Sequence, residues 1–508
     1  MEMKDVMSKL IDPLYEPLDM SSGGNRLSKL YLDLLATFEL RRAAWLMQSG
    51  LLFEVYPGCT HTRRAHAIGC WIVGWHSLDD IKVFRAKPNK EISLRNWLRG
   101  SGHRDNIIRE YLTSLLLHDV GHPPFSHTLE MNPFMEDTIN HEEITKSLIC
   151  NKDDKNNINW HALLTYFLCA YKVSTKSLRQ KESYKKTYQD LKKDVRTVNS
   201  VLKKYHINLD VMERILNGQT NSDPRIYALH MLVDSQIDID RIDHFLRDSY
   251  YSGIKFADYK TKALLQNLVL VPEETEEYEN IIKANKKKQK MPAYIMVKKE
   301  GVEQVEYLLT ARQFIFDRVL WHPKNLMLIG ALNMAIRMLI QYEPFVLSIL
   351  PFLTDQILLQ MLRENPFIGT SIEGYEKIIR GEIPTNEFYL RVDEVIESNN
   401  LENCKKKVRD IYDKIENYNS KKPLEPKILI FSNFKKEQCQ DDTENWWKYV
   451  IFEKNYQPLN KSDERLFKWL DQKEKNRLNK ILIWTRRKVD LEKEVGLPRK
   501  LNQFFRDG

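Results

Sequence analysis

The run YLTSLLLHDVGHPPFSH, residues 111–127, sets three imidazoles and a carboxylate (His118, Asp119, His122, His127) within ten residues. Its apolar start, Leu112 to Leu117, predicts a buried helix that delivers His118 and Asp119 at its C-terminal end. Gly121, Pro123 and Pro124 then stop the helix and turn the backbone. Packing fixes such a helix while the turn presents its ligands to a cleft, which suits a metal ion and acid–base groups. A His-Asp pair alone is common by chance; the density of imidazoles and two further segments give this one weight.

The first of those segments is VYPGCTHTRRAH, residues 55–66. Pro57 and Gly58 make a turn, and a helix beginning near Thr60 or Thr62 carries His66. The second, residues 225–248, reads RIYALHMLVDSQIDIDRIDHFLRD and predicts one long helix opened by Asp223 as cap and Pro224 in the first turn. Asp240, His244 and Asp248 fall at i, i+4 and i+8 on one face, with Arg241 beside them. His66, His118, Asp119 and Asp240 could then supply one divalent ion from separate elements. This mix of nitrogen and oxygen donors suits Fe, Mn, Zn, Ni or Mg with positions left open for water.

The elements that must carry these residues are mostly helical. Residues 28–55 have helical spacing, as do 104–117 and 310–341. Residues 151–205 read as a Lys-rich insertion with an amphipathic helix from Tyr184 to Tyr205. Strands are expected over 263–271 and over 293–309, the latter folded at Lys299-Glu300-Gly301. Beyond about residue 380, short apolar runs (Ile428–Phe431, Tyr449–Phe452, Ile481–Trp484) between charged linkers suggest a small α+β appendage.

With 508 residues, 42% hydrophobic and 29% charged, the chain can build one large core with satellites. It has no run of about 18 uncharged apolar residues, so no membrane span is expected. The N-terminus lacks an apolar signal region, and six scattered cysteines read as reduced, so the expected compartment is cytoplasmic. A net charge of +8 is mild for this length: polyanionic small substrates fit it, and nucleic acid stays open as a partner without being required.

The order H…HD…D resembles the HD-domain superfamily of metal-dependent phosphohydrolases, and within it the deoxynucleoside triphosphate triphosphohydrolases (the bacterial dGTPases and the sterile-alpha-motif/HD-domain dNTPase). Their YPGxxHxRxxH is similar to residues 56–66, their HDxGHxPFSH to 118–127, and their IDxDxxDYxxRD to 237–248. The likeness covers about residues 10–345 in blocks. It implies a mainly α fold: an HD-domain helical bundle over residues 1–345 with a minor β hairpin, then a helical extension and small α+β region over 346–508. It implies one divalent metal held by His66, His118, Asp119 and Asp240, with a metal-activated water attacking the α-phosphate of a dNTP to give deoxynucleoside and inorganic tripolyphosphate. His127 would be the general acid, helped by Glu130, and His122 and His141 would contact the α-phosphate region. Arg63, Arg241 and Arg312 would neutralise the triphosphate, and Gln48 and Asp248 would bind the sugar hydroxyl. His244 stands where the family commonly has a Tyr, so deoxyribose selectivity is expected to be weaker; Arg241 replaces a Lys, and a further family Tyr falls at Leu320, beside Trp321. The resemblance also implies a tetramer or hexamer, with nucleotides as allosteric ligands and a role in nucleotide-pool control or antiviral defence. The alternative is another HD-type enzyme, a nuclease or cyclic-nucleotide phosphodiesterase.

Overall fold

The computed structural model describes residues 9–502 apart from 20–23, 86–90, 101–105, 131–133, 136–138, 155–157, 166–195, 219–222, 274, 286–289, 365–370, 397–400, 434–449, 453–456, 459–463, 476–479, 487–488 and 499. Among the described residues the fold is mainly helical with three small sheets. Its helices of interest are α1 (Gly24–Leu35), α2 (Arg63–Asp80), α3 (Asn106–Leu117), α4 (His127–Glu130), α5 (His141–Cys150), α6 (Pro224–Val233), α7 (Ile239–Ser252), α8 (Val302–Phe314), α9 (Pro323–Tyr342), α10 (Asp355–Arg363) and α11 (Leu401–Asn419).

Helix α3 is central. Every residue from Ile107 to Leu117 is buried, including the polar Arg109, Glu110, Thr113 and Ser114. It packs against α2, which begins where Thr62 accepts a bond from Ala65 N–H. Helix α7 lies along α2 as well, and Gly69 makes the approach close: a Cβ there would sit 1.9 Å from Asp243 Oδ1.

The long helix expected over 225–248 is two helices, α6 and α7, broken at residues 234–238. Asp223 caps α6, with Pro224 in its first turn. The break has a physical cause: Asp238 accepts from Ser235 N–H at 2.8 Å and from Arg241 N–H at 2.7 Å, so its carboxylate starts a new helix. Asp240 therefore sits in the first turn of α7 rather than in mid-helix. The single helix expected over 310–341 is likewise interrupted, by a π-helical turn, Ile315–Leu320, before α9.

The strand expectations were half right. Residues 261–266 are helical and only Leu268–Pro272 is a strand; residues 302–309, expected as a strand, lie in α8. Leu268–Pro272 and Ala293–Val297 pair antiparallel as the minor hairpin requires, and they do so within a six-stranded sheet. With β3 (Lys82–Phe84), β4 (Glu91–Ser93), β5 (Leu268–Pro272), β6 (Ala293–Val297), β9 (Val450–Phe452) and β10 (Gln457–Pro458), its order is β10-β9-β6-β5-β3-β4. The β6–β9 and β3–β5 pairs are parallel and the others antiparallel. A hairpin of β1 (Lys9–Asp12) and β2 (Tyr15–Asp19) lies near the N-terminus. The appendage supplies an antiparallel sheet ordered β7-β11-β8, from Phe388–Val395, Lys480–Arg486 and Ile428–Asn433, and β8 packs on α9. Of the helix expected from Tyr184 to Tyr205, residues up to 195 lie outside the described ones; Val198–Lys204 is helical. Among the described residues no single helix is long and apolar enough to cross a membrane.

Candidate active site

Helix α3 ends at Leu117 and hands over to a tight loop that holds His118, Asp119 and His122. The loop then passes through Phe125 and Ser126, both left-handed at φ 57° and 56°. Consecutive non-glycine residues in that region persist only when their surroundings hold them. Here Asp355, in the first turn of α10, accepts from Phe125 N–H and from Met47 N–H, each at 2.7 Å. Ser126 donates to Met47 O at 2.9 Å and accepts from Arg63 Nε at 2.9 Å. Burial pushes the Asp355 carboxyl up to about 6, against the pull of those two amides.

Four sequence-predicted ligands meet at this point. His66 Nε2 is 2.9 Å from Asp240 Oδ1, and His118 Nε2 is 3.5 Å from the same oxygen. Asp119 follows at 3.5 Å from His118 Nε2 and 3.7 Å from His66 Nε2, and it is also tied to Arg63 by an ion pair and to His122 Nε2 at 3.3 Å. His118 Nδ1 lies 2.9 Å from Leu115 O, while its Nε2 is buried without a hydrogen-bond partner. Donation from Nδ1 would leave Nε2 as the free lone pair, the arrangement typical of a ligating histidine.

The electrostatics are those of a cation site. Burial opposes charge on His118, yet Asp119 and Asp240 outweigh it and lift that imidazole to about 9. Burial likewise works against Asp119 and Asp240, but their histidine neighbours hold both carboxylates well below the usual range, with Arg63 adding to the effect on Asp119. A surplus of carboxylate thus draws positive charge, proton or metal, to one point. His66, Cys70, His118 and Asp240 bring ligand atoms within 4.8 Å of one another, a group that could hold a metal ion, with Asp119 beside it at 3.5 Å from His118 Nε2. Cys70, one turn after His66, has Sγ 3.6 Å from His66 Nε2, and burial pushes its thiol up to about 12.

Behind His66 lies a buried network that spacing alone did not reveal. Asp243 Oδ2 is 2.7 Å from His66 Nδ1; the same carboxylate accepts from Tyr15 Oη at 2.7 Å and from Arg247 Nε and Nη2 at 2.9 and 2.8 Å. Arg247 also reaches Asp12 Oδ2 at 3.0 Å. Asp248 is held similarly: His61 Nε2 is 2.6 Å from Oδ1, Ser49 donates to the same oxygen at 3.1 Å, and His244 Nδ1 lies 3.1 Å from Oδ2.

A second cluster adjoins the first. His122 stacks on His141 at 3.8 Å, and His127 meets both edge-on at 4.6 and 5.2 Å. The three offer nitrogens within 4.8 Å of one another. Burial, then Arg63 and His141, hold His122 well below the usual range, so it is neutral. His122 is fully buried and His127 is exposed.

Both clusters border a cavity of about 690 Å³. Of the sequence-predicted residues, Gln48, Arg63, His118, Asp119, His127, His141, Asp240, Arg241, His244 and Arg312 line it. His66, His122 and Asp248 stand behind the wall, and Asp248 meets the cavity only through Ser49 and His244. The side chain of Glu130 lies outside the described residues. Lys146 lines the cavity too, one turn beyond His141 on α5, as do Trp321 and Phe431.

The site stands on a mainly helical fold, and comparison with known proteins finds likenesses in fold and in sequence. No family model matches the chain. A solved phosphohydrolase from Bacteroides thetaiotaomicron shares the fold over 94% of this chain and all of its own, with a TM-score of 0.57 at 17% identity. Among curated relatives, an uncharacterized protein of Bacillus subtilis, YwfO, is 25% identical over 297 residues, 58% of this chain and 48% of its own length. A putative HD domain-containing protein of Acanthamoeba polyphaga mimivirus is 28% identical over 141 residues, 26% of this chain and 30% of its own. A Dictyostelium discoideum protein named as a deoxynucleoside triphosphate triphosphohydrolase SAMHD1 homolog is 23% identical over 242 residues, 46% of this chain and 36% of its own. The chain spans about half the length of the first curated relatives or less. The named likenesses are thus to HD-domain and phosphohydrolase proteins, and the solved structure shares the helical fold.

Proposed function

We propose that the chain hydrolyses deoxynucleoside triphosphates to a deoxynucleoside and inorganic tripolyphosphate. One observation carries this reading: a single cavity is bordered by the His118–Asp119–Asp240 cluster, by Arg63, Arg241, Arg312 and Lys146, and by the exposed His127. A triphosphate carries about four negative charges, and four cationic side chains around one cavity suit it.

His66, His118, Asp119 and Asp240 would hold the divalent ion. When bound, such an ion lowers the pKa of water and polarises a phosphoryl oxygen. The arginines and Lys146 bind the polyphosphate and hold its α-phosphorus toward the His122–His127–His141 wall. Water forms a bond to that phosphorus as the bond to O5′ breaks; His127 gives its proton to the departing O5′, and the proton the water gives up passes to solvent, which restores one to His127. His122, whose affinity for a proton burial holds well below the usual imidazole range, is a poor competitor for that proton. Arg63 ties Asp119 to Ser126, so the ligand loop and the loop leading to His127 move as one. Gln48 and His244 flank the same cavity and would meet the sugar, with Asp248 holding His244 from behind.

Incubating the full chain with Mn²⁺ or Mg²⁺ and the four dNTPs, singly and mixed, then resolving the products by chromatography, tests the reading. Tripolyphosphate and deoxynucleoside are expected. A monophosphate as first product, or cleavage of nucleic acid or cyclic nucleotides in place of dNTPs, would replace it with the phosphodiesterase alternative. The mixture tests activation of one nucleotide's hydrolysis by another, and light scattering tests the proposed tetramer or hexamer. Comparing kcat/KM for dGTP and GTP tests the deoxy preference, which equal values would refute.

A further inference from the structure

The cavity has an end that the phosphate chemistry leaves unused. There Phe316, Leu320, Trp321, Asn325, Ile329 and Phe431 form an apolar corner. Phe431 comes from β8, far along the chain, and meets Trp321 edge-on at 5.7 Å. Lys480 of β11 sets its Nζ 5.8 Å over the Trp321 ring, so two strands of the C-terminal sheet hold this tryptophan. Gly330 permits the contact: a Cβ there would lie 2.5 Å from Ile430 O, which would force β8 off α9.

Asn325 is the polar exception in the corner. It is 3% exposed, and its Nδ2 donates to Leu320 O at 2.8 Å, which caps the end of the π-helical turn. That bond leaves Oδ1 buried with no partner. An orphaned acceptor in an apolar pocket is destabilising unless something supplies a donor. Interrupted helices of this kind are frequent at binding sites.

We propose that this corner is a ring-binding subsite, in which a planar heterocycle packs against Trp321 and Phe431 and gives an edge N–H to Asn325 Oδ1. The C-terminal sheet is then one wall of the substrate site. The identification of the heterocycle as the nucleobase of a nucleotide rests on the function proposed above; the subsite itself rests on the orphaned acceptor and the aromatic pair.

Calorimetric titration of the four deoxynucleosides, ring-free 2-deoxyribose and tripolyphosphate into the full chain tests it without any turnover. At least one nucleoside should bind about tenfold or more tighter than deoxyribose, the scale of one base–aromatic contact. Asn325→Leu and Phe431→Leu should each erase most of that advantage while leaving tripolyphosphate affinity within twofold. If Asn325→Leu also loses tripolyphosphate, the site has collapsed and Phe431→Leu decides. Nucleoside affinities within twofold of native in both variants, or no advantage over deoxyribose, would overturn the subsite. Ring-dependent binding without dNTP hydrolysis would sink the proposed reaction and leave the subsite standing. Hydrolysis of dNTPs with ring-independent binding would do the reverse.

Discussion

Replacing Asp243 by Asn tests whether the metal site is built from behind. This carboxylate faces His66 Nδ1, Tyr15 Oη and two nitrogens of Arg247, at distances from 2.7 to 2.9 Å, so both its oxygens are saturated by donors. An amide keeps one acceptor and turns its NH₂ toward donors. Two consequences follow, of different size. Arg247, with 1% of its side chain exposed, would keep only Asp12 as a charged partner; uncompensating a buried pair costs about 3–5 kcal/mol. His66 would lose the group that orients its ring and raises its basicity, for which metal affinity typically falls about 10–100-fold, or about 1.4–2.7 kcal/mol. Stability is therefore hit harder than affinity, and both must be read. Competition dialysis against a chelator gives the metal affinity, and circular dichroism the folded fraction. Asp79→Asn, which loosens an exposed pair with Arg95, is the control and should change neither by much. A folded Asp243→Asn protein with metal affinity within twofold of native would refute the reasoning.

Three other expectations follow from the geometry. His127→Ala should keep metal and polyphosphate binding while kcat falls by about 10²-fold or more, measured by steady-state kinetics beside elemental analysis; lost metal or an unchanged rate would count against the acid role. Asp119→Ala should strip metal and activity together, and full occupancy by elemental analysis would remove Asp119 from the ligand set. Glu39 is buried, its two oxygens accepting Val198 N–H at 3.0 and 3.1 Å, and burial pushes its carboxyl from 4.5 up to about 7. A raised folded pKa means the native state holds a proton that the unfolded chain has lost, so the stabilisation is full below about pH 4.5 and fades as pH rises through about 7. At 1.36 kcal/mol per pH unit that gap is worth at most about 3 kcal/mol, and urea titrations from pH 4.5 to 8 should show the slope flatten in Glu39→Gln.

What the sequence disclosed and withheld divides along physical lines. The ligand-bearing string was legible because an apolar run, a His-Asp pair and two prolines are local signals, and α3 ends at Leu117 as they require. Asp223 and Pro224 marked a helix start for the same reason. The break before α7 was not legible: DSQID can continue a helix, and only the capping bonds of Asp238 decide otherwise. Val302 and Val305 after a Gly301 turn read as a strand, yet the stretch packs as a helix because tertiary burial overrides β propensity. Asp243, Asp355 and Phe431 were missed for a deeper reason. Their partners lie 177, 230 and, for Phe431 and Trp321, about a hundred residues away, beyond any window of periodicity. Only the one-turn spacing of Asp243 to Arg247 hinted at a pair.

The central claim is that water attacks the α-phosphorus and O5′ departs. Running the reaction in ¹⁸O-labelled water with the metal-loaded chain and a single dNTP, then analysing the products by mass spectrometry, tests it most directly. The account predicts one ¹⁸O in tripolyphosphate and none in the deoxynucleoside. Label in the 5′-hydroxyl, or in a nucleoside monophosphate released with pyrophosphate, would contradict it.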